Sequence, residues 1–388
     1  MNKIIIEKLV PGGQGIATLP DGKKAFFWNA LPGEEVLEYE ITKKKAHYIE
    51  AIATRLDNQS KQRIEPRDEC YLATSPWQIM NYEYELEQKM EILKESFRQE
   101  GINLLEDLTV QTDGKEFFYR NKMEYALYYS HEDEQIHLAF HQRGSHRKIP
   151  VRQSSLERSE IWQKATDIVA DLNARGEEAR KYQSLLLRCN QAGIVSGGLY
   201  ENGKSHPKFA VLEDTLLGQK YTYSPNGFFQ INLPVYEMVL KQIGEQIETE
   251  EVLDLYAGVG TIGLSVAQNR RLTLVECNGA AFAELENNCR LALKAPTAVF
   301  SKSEEALQYI QPEQTVILDP PRAGCDNELL KKLLEVQPTK IIYLSCNPTT
   351  QARDVRILSE KYQIELVKPY NFFPRTPHLE NLVVLQLK

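Results

Sequence analysis

The sequence from Glu251 to Leu387 alternates short apolar runs with segments of helical periodicity. This alternation is typical of βαβ units, which build a mainly parallel sheet with helices on both faces. Only a loop separates the last two apolar runs, so we expect the sheet to end in an antiparallel hairpin. The pattern predicts an α/β fold with a seven-stranded, Rossmann-like C-terminal domain, its strands at 251–256, 272–276, 297–300, 315–318, 340–345, 364–367 and 382–387.

Residues 1–55 form a different unit, because five short β-rich runs follow one another with turn signals between them. Turns rich in glycine and proline at this spacing are typical of small all-β modules. We expect an OB-like barrel, a fold that often binds nucleic acid. Residues 56–230 mix helical and β patterns, with helices predicted at 81–100 and 156–173. The expected domains are therefore the β module, this mixed α/β central region and the sheet domain at 231–388.

The composition limits where the protein works. A chain of 388 residues with 42% hydrophobic and 26% charged residues is typical of a globular protein with two or three domains. No apolar run reaches the roughly 20 residues that span a bilayer, and the first residues do not resemble a secretory signal. We therefore expect a cytoplasmic protein without a membrane partner, with a monomer as the default state.

The net charge of −8 argues against a uniformly basic surface but leaves room for local phosphate contacts. Residues 43–45 are three lysines. Residues 141–152 contain no acidic residue and four strongly basic ones, Arg143, Arg147, Lys148 and Arg152. A solvated positive surface explains either segment taken alone, and binding of RNA is the alternative.

A glycine-rich turn follows the first strand of the predicted sheet. Residues 254–263 read Asp-Leu-Tyr-Ala-Gly-Val-Gly-Thr-Ile-Gly, and Gly258 and Gly260 let the backbone approach a ligand at a helix start. Glu276 closes the next strand, where a carboxylate can accept hydrogen bonds from both hydroxyls of a ribose. The turn predicts a nucleoside-containing cofactor. Nicotinamide dinucleotides stay open as an alternative, although the usual GxGxxG spacing is absent.

Asp319 begins a second motif, Asp-Pro-Pro-Arg-Ala-Gly, at the end of another predicted strand. Two successive prolines fix an extended loop without backbone donors. Such a loop can hold a flat base and direct Asp319 into the cleft. Enzymes that methylate exocyclic amines use a similar motif in which an aromatic residue follows the prolines. Arg322 stands at that position here, which disfavours that chemistry.

Cys346 lies in a third motif, Ser-Cys-Asn-Pro, after an apolar strand. Asn347 is a favourable helix cap and Pro348 a favourable first helical residue. The thiol is therefore predicted at a helix N-terminus, where partial positive charge favours the thiolate. A buried structural cysteine is the alternative for a thiol at a strand end. The loop before the last predicted strand offers His378 and Glu380 as proton acceptors.

These motifs, in this order, resemble the RNA uracil-5-methyltransferases, and the resemblance covers nearly the whole chain. It implies S-adenosylmethionine as the methyl donor and carbon 5 of a uridine in RNA as the acceptor. Residues 1–55 resemble the family's TRAM domain, an RNA-binding barrel that occurs in the ribosomal RNA enzymes and is usually absent from bacterial tRNA enzymes. The resemblance therefore favours 23S ribosomal RNA, with tRNA as the alternative. The module is expected to add RNA affinity without supplying chemistry.

The same resemblance implies roles for individual residues. Cys346 would be the nucleophile, and Glu380 the base that removes the carbon-5 proton. Gln230, within the segment Phe-Phe-Gln-Ile-Asn, would contact the methionine portion of the donor, a role with no signal other than the resemblance. The full set of predicted donor contacts is Gln230, Tyr256, Gly258, Gly260, Thr261, Glu276 and Asp319.

One departure from the family concerns iron. Many ribosomal RNA members hold a four-iron cluster with four cysteines, three of them closely spaced after the β module. Here Cys70 is the one cysteine in that region, and Gln153, Ser154 and Ser155 occupy the neighbourhood of the fourth position. Thiolates are needed to hold such a cluster. We therefore expect no iron–sulfur cluster, and the cysteine and histidine spacing predicts no other metal site.

The expected mechanism begins with the addition of Cys346 to carbon 6 of the uracil, which makes carbon 5 nucleophilic. After methyl transfer, Glu380 removes the carbon-5 proton and the thiolate leaves. The target base must leave its stack to enter the cleft. Two other functions stay open at this point. One is methylation of another position, such as cytosine carbon 5 or an exocyclic amine, and the other is RNA binding without catalysis.

Overall fold

The first module of the computed structural model, which describes residues 3–205 and 207–388, is a five-stranded sheet. Its order is β1-β2-β3-β5-β4, and β3 pairs with β5 in parallel. An apolar core of its own forms around Phe27, Val36 and Ile49. The five strands predicted for this segment are present, at β1 (Lys8–Leu9), β2 (Gly15–Thr18), β3 (Lys24–Trp28), β4 (Glu35–Lys44) and β5 (Tyr48–Asp57).

The central region contains a second, antiparallel sheet in the order β10-β9-β6-β7-β8. A long helix begins after Asn81, whose side chain accepts a hydrogen bond from the amide of Tyr84 at 2.9 Å. The helices predicted at 81–100 and 156–173 are both present among the elements of this region. The elements are α1 (Tyr71–Thr74), α2 (Tyr82–Gln99), β6 (Lys122–Ser130), β7 (Gln135–His141), β8 (Lys148–Pro150), α3 (Ser159–Ala174), β9 (Tyr182–Cys189) and β10 (Val195–Glu201).

The third sheet has seven strands in the order β15-β14-β13-β16-β17-β19-β18. Strands β13 to β17 pair in parallel, and β19 lies antiparallel between β17 and β18. The predicted α/β class, the seven-stranded Rossmann-like sheet and the terminal hairpin are confirmed. The elements are β11 (Leu212–Leu216), β12 (Gln219–Tyr223), α4 (Leu233–Glu245), β13 (Glu251–Leu255), α5 (Thr261–Val266), β14 (Arg271–Glu276), α6 (Gly279–Arg290), β15 (Thr297–Phe300), β16 (Gln314–Leu318), α7 (Asn327–Val336), β17 (Lys340–Ser345), α8 (Pro348–Leu358), β18 (Tyr362–Tyr370) and β19 (Glu380–Leu387).

Apolar cores cover both faces of this sheet. Helices α4, α5 and α6 and the β11–β12 hairpin pack on one face, and α2, α7 and α8 pack on the other. Helix α2 and the hairpin precede residue 231, so two elements from outside the predicted sheet domain help to bury it. Among the described residues, no helix has the length and apolar character required to cross a membrane.

Candidate active site

Cys346 and Glu380 lie next to each other at the carboxyl end of the sheet. The antiparallel pairing of β17 with β19 sets Ser345 opposite Asn381. Cys346 follows Ser345, and Glu380 precedes Asn381 on the antiparallel strand. The same register therefore sets the Cys346 thiol beside the Glu380 carboxyl group. Residues paired across adjacent strands have Cβ atoms about 4.5–5.5 Å apart. Backbone pairing, rather than a flexible loop, therefore fixes the distance between the two groups.

Cys346 stands at the helix N-terminus that the sequence predicts. Asn347 caps α8, and its side-chain oxygen accepts a hydrogen bond from the amide of Thr349 at 3.2 Å. However, burial and then the charge of Glu380 raise the pKa of Cys346 to about 11. The helix end favours the thiolate, as the sequence predicts, but burial opposes it in the protein by itself. Desolvation disfavours the charged form by more than the partial charge of a helix end favours it.

Asp319 and Glu380 form a pair of neighbouring carboxyl groups. Burial raises the pKa of Asp319 to about 7. Burial, together with the charge of Asp319, raises the pKa of Glu380 well above its usual value. Two carboxylates this close do not ionise together easily, so the pair retains a proton near neutral pH. Such a pair is suited to exchange a proton with a bound substrate.

Arg322 supplies positive charge at this site. Its charge lowers the pKa of Cys346 and of Glu380 and so opposes the effect of burial. The backbone carbonyl of Arg322 accepts hydrogen bonds from Asn347 Nδ2 at 2.8 Å and Thr350 Oγ1 at 3.1 Å. The first turn of α8 therefore holds the double-proline loop in place. The sequence motif predicted a rigid loop, but nothing in it placed the guanidinium beside the thiol.

Cys346, Arg322 and His378 line a pocket of ≈ 360 Å³, a volume typical of small-molecule sites. Nδ1 of His378 lies 3.3 Å from a guanidinium nitrogen of Arg322. Burial, together with the charge of Arg322, lowers the pKa of His378 to about 4. The imidazole is therefore neutral at physiological pH, and it can accept a hydrogen bond from the guanidinium.

A buried ion pair anchors the loop between β18 and β19. The side chains of Lys89 and Glu85 on α2 are completely buried. Nζ of Lys89 donates to Glu85 at 2.8 Å, to Asn371 Oδ1 at 2.6 Å and to the carbonyl of Phe373 at 3.1 Å. Glu85 also accepts from the amide of Arg375 at 3.0 Å. Buried charges require such partners, so these contacts hold the loop to α2.

A larger cavity of ≈ 630 Å³ lies at the carboxyl ends of β13 and β14, lined by Tyr256 and Glu276. Tyr256 has φ of 63°, an uncommon value for a side chain of this size and one that often marks a functional turn. Glu276 accepts from the amide of Gly258 at 2.8 Å. A Cβ at Gly258 would enter open space, whereas one at Gly260 would lie 2.6 Å from Leu285. The space beside Gly258 is thus open, whereas Gly260 is packed closely against a neighbouring side chain.

The loop that contains Asp319 separates the two cavities. Pro321, Ala323 and Gly324 line the larger cavity, whereas Arg322 lines the smaller pocket. One short motif therefore contributes residues to both cavities at once.

Gln230 and Thr261, like Gly258, Gly260 and Asp319, do not line either cavity within the part of the protein that the structure describes. Gln230 is buried, and its backbone carbonyl accepts from Asn121 Nδ2 at 3.0 Å. Thr261 begins α5, and its hydroxyl hydrogen-bonds to that of Tyr236 at 2.7 Å. Their predicted contacts with the donor stay predictions.

Several residues of both cavities carry no signal in the sequence. Pro11 and Gly12 of the N-terminal module line the pocket of Cys346. Lys302 and Ser303 line the larger cavity. In the sequence, the first pair belongs to a Pro-Gly-Gly turn and the second to an ordinary loop after β15. Only the assembled fold brings them to the site.

Cys70 lies where many members of the family that the sequence resembles hold an iron–sulfur cluster, and here its surroundings contain hydrogen bonds. Asp68 accepts from Ser155 Oγ at 2.8 Å and from Gln78 Nε2 at 2.9 Å. Burial raises the pKa of Cys70 to about 12, so this thiol stays protonated. Within residues 3–205 and 207–388, no group of three or more histidine, cysteine or acidic side chains is arranged to hold a metal ion.

Comparisons with known proteins agree with this geometry. The family model described as tRNA (Uracil-5-)-methyltransferase matches residues 301–388, the segment that contains Asp319, Cys346 and Glu380. An uncharacterized RNA methyltransferase of Bacillus anthracis is 27% identical over 447 residues, covering 99% of this chain and 96% of that protein. A second, from Staphylococcus aureus, is 28% identical over 443 residues, covering 97% and 96%.

A solved structure shows the same fold. The Pyrococcus abyssi tRNA (uracil-54, C5)-methyltransferase, in complex with S-adenosyl-L-homocysteine, superposes with a TM-score of 0.77 at 23% identity, covering 99% of this chain and 100% of that one. Together, the matched segment and the full-length relatives show that the chain is similar to RNA methyltransferases, and over residues 301–388 to the tRNA (uracil-5-)-methyltransferases.

Proposed function

We propose that the protein methylates carbon 5 of a uridine in RNA through a covalent bond between Cys346 and carbon 6. The observation that carries the proposal is the adjacency of Cys346 and Glu380 across the β17–β19 register, with Arg322 against the thiol. Carbons 5 and 6 are neighbours in the ring, so a nucleophile for one and a proton acceptor for the other must also be neighbours. Methylation of an exocyclic amine requires neither group.

S-adenosylmethionine suits the larger cavity as the methyl donor. Glu276 presents a carboxylate to this cavity, and the open space beside Gly258 allows a ligand to approach the backbone. Buried Asp254 Oδ1 has no hydrogen-bond partner among the described residues, which leaves an acceptor available at the same strand end. When bound, the donor supplies the methyl group that carbon 5 accepts. The residues proposed to hold it are Gln230, Tyr256, Gly258, Gly260, Thr261, Glu276 and Asp319.

The proposed chemistry begins when the Cys346 thiol loses its proton to solvent, which leaves Glu380 free to act later. Because the pKa of Cys346 is about 11, the thiolate needs stabilisation, which Arg322 supplies. The S–C6 bond then forms, and the ring electrons make carbon 5 nucleophilic. Once carbon 5 is methylated, its C–H bond breaks and the proton passes to Glu380. The electron pair of that bond expels the thiolate and restores the aromatic uracil.

The two basic segments of the sequence form one surface, which supports RNA as the substrate. A Cβ built at Gly144, in the β7–β8 loop, would lie 2.9 Å from Cβ of Thr42 on β4. The guanidinium of Arg143 lies 4.1 Å from the ring centre of Trp28. These contacts join the central region to the N-terminal module. Phosphate groups bind such clustered cations and fix the register of the nucleic acid. The exposed cations of this surface include Lys44, Lys45 and Arg147.

Ribosomal RNA is the first candidate substrate, because residues 1–55 resemble a TRAM domain. Transfer RNA is the second candidate. The Pyrococcus abyssi tRNA (uracil-54, C5)-methyltransferase matches 99% of this chain, so its fold includes a counterpart of the N-terminal module. Nucleoside analysis of ribosomal and transfer RNA from a deletion strain separates the two candidates. Loss of 5-methyluridine from one RNA class assigns the substrate.

RNA that carries 5-fluorouridine tests the chemistry. Fluorine replaces the carbon-5 proton, so the thiolate cannot be expelled, and the wild-type protein should stay covalently attached to the RNA on a denaturing gel in the presence of S-adenosylmethionine. Cys346→Ala should form neither the attached complex nor product. Cys289→Ala is the matched control, because this half-buried thiol on α6 lines neither cavity within the described residues. Methylation of normal RNA without any adduct to fluorinated RNA would exclude the covalent mechanism.

A further inference from the structure

The first turn of the N-terminal module forms part of the pocket that contains the nucleophile. Pro11 and Gly12, between β1 and β2, line the same ≈ 360 Å³ pocket as Cys346 and His378. A Cβ built at Gly12 would meet nothing within 4 Å, so this position leaves open space for a bound molecule. The module is therefore adjacent to the residues proposed to react with the base.

Gly13 holds this turn against the loop that precedes Glu380. A Cβ at Gly13 would lie 2.3 Å from Cβ of Pro377, and its φ of 94° is one that side chains rarely adopt. The carbonyl of Gly13 accepts a hydrogen bond from Trp77 Nε1 at 3.0 Å. The amide of Trp77 donates to the carbonyl of Arg375 at 3.1 Å. The turn and the loop thus touch directly and also share a buried tryptophan.

We infer that the Pro11-Gly12-Gly13 turn is a wall of the uridine pocket and a positioning element for the loop that carries His378. The inference rests on the proposed function, since it assigns the turn to the base that Cys346 attacks. The turn offers no acid, base or nucleophile. Its contribution is the shape of the pocket and the placement of the loop, both of which depend on the absence of a side chain at Gly13.

Gly13→Ala tests this role by the rate of adduct formation at saturating RNA that carries 5-fluorouridine. The added methyl group must displace Pro377, and a misplacement of about 1 Å near reacting groups can lower a rate by about 10²-fold. We expect a loss of that size in the rate constant. The affinity for RNA should stay close to that of the wild type, because phosphate contacts elsewhere set it. Trp77→Phe, which loses the hydrogen bond to the turn but keeps an aromatic ring, should produce a smaller loss in the same rate constant.

Gly22→Ala is the matched control. Gly22 has φ of 84° in the β2–β3 turn of the same module, and a Cβ there would meet nothing within 4 Å. It therefore carries the same backbone strain without touching the pocket, and its adduct should form at the wild-type rate. A wild-type rate constant for Gly13→Ala, or a loss confined to RNA affinity, would show that the inference is wrong. If thermal unfolding shows that Gly13→Ala does not fold, Trp77→Phe tests the inference instead, by its rate constant of adduct formation and its affinity for RNA. Absence of an adduct with the wild-type protein would overturn the proposed function itself, and the positioning role with it.

Discussion

Replacing Glu380 with glutamine separates the two candidate bases of the site. Burial beside Asp319 raises the pKa of Glu380, so its carboxylate is a strong proton acceptor once formed. Burial lowers the pKa of His378 from an ordinary 6.5 to about 4. Protonation of this imidazole is therefore less favourable than that of a free histidine by roughly 3 kcal/mol, or about 10²-fold in population. The structure thus favours Glu380 as the acceptor of the carbon-5 proton.

Glu380→Gln keeps the size of the side chain but cannot accept the proton. Addition and methyl transfer should still occur, and product release should fall by about 10²–10⁴-fold. With a donor labelled on the methyl group, a labelled covalent protein–RNA complex should accumulate on denaturing gels. His378→Ala should release product at close to the wild-type rate. The opposite pattern, in which His378→Ala stalls as the adduct while Glu380→Gln turns over, would refute the assignment.

Donor binding, stability, pH dependence and metal content provide further tests. Glu276→Ala should lower the affinity for S-adenosylmethionine by about 10- to 150-fold, because the ribose diol loses a charged hydrogen-bond acceptor. Calorimetry should show this loss while the affinity for RNA stays unchanged. An unchanged affinity for S-adenosylmethionine would exclude Glu276 from the donor site. Lys89→Met should lower the free energy of unfolding by up to about 3–5 kcal/mol, since buried Glu85 loses its nearer cationic partner and keeps only Arg375, at 3.7 Å. Chemical denaturation measures this, and the double variant with Glu85→Gln should recover part of the loss. Because burial raises the pKa of Cys346 to about 11, its thiolate fraction increases with pH, and adduct formation should accelerate from about pH 6 to pH 9; a flat profile would contradict this. Protein purified without oxygen should contain no stoichiometric iron, because Cys70 is the one cysteine in the segment where related proteins bind a cluster. A bound cluster would overturn that expectation.

The sheet and the positions of the candidate catalytic motifs at its strand ends could be predicted because local patterns specify them. Apolar runs that alternate with helical segments define the seven strands within a few residues. Asn347 predicts the start of α8 by its capping chemistry alone. Once β17 and β19 are known to pair, Cys346 and Glu380 must meet, since both stand at the strand ends.

The ionisation of these groups could not be predicted in the same way. A capping residue is a local signal, but the pKa of Cys346 depends on burial and on Glu380 and Asp319, which are distant in sequence. The packing of α2 on the C-terminal sheet could not be predicted either. The apolar stripe of α2 indicates that the helix is buried, but it does not indicate which surface the helix packs against. The position of the Pro11 turn in the pocket depends on the docking of one module on another, for which no local pattern exists.

The meeting of the Gly13 turn with the Pro377 loop also affects how the protein folds. The two segments come from opposite ends of the sequence, so a very long loop must close before the pocket exists, and contacts of this range form slowly. The individual sheets have local hairpins and βα units that can form earlier. During refolding from denaturant, far-ultraviolet circular dichroism should therefore recover before the ability to form the RNA adduct. An intermediate with its secondary structure complete would still lack one wall of the active site, and this species should be able to bind RNA before it can modify it.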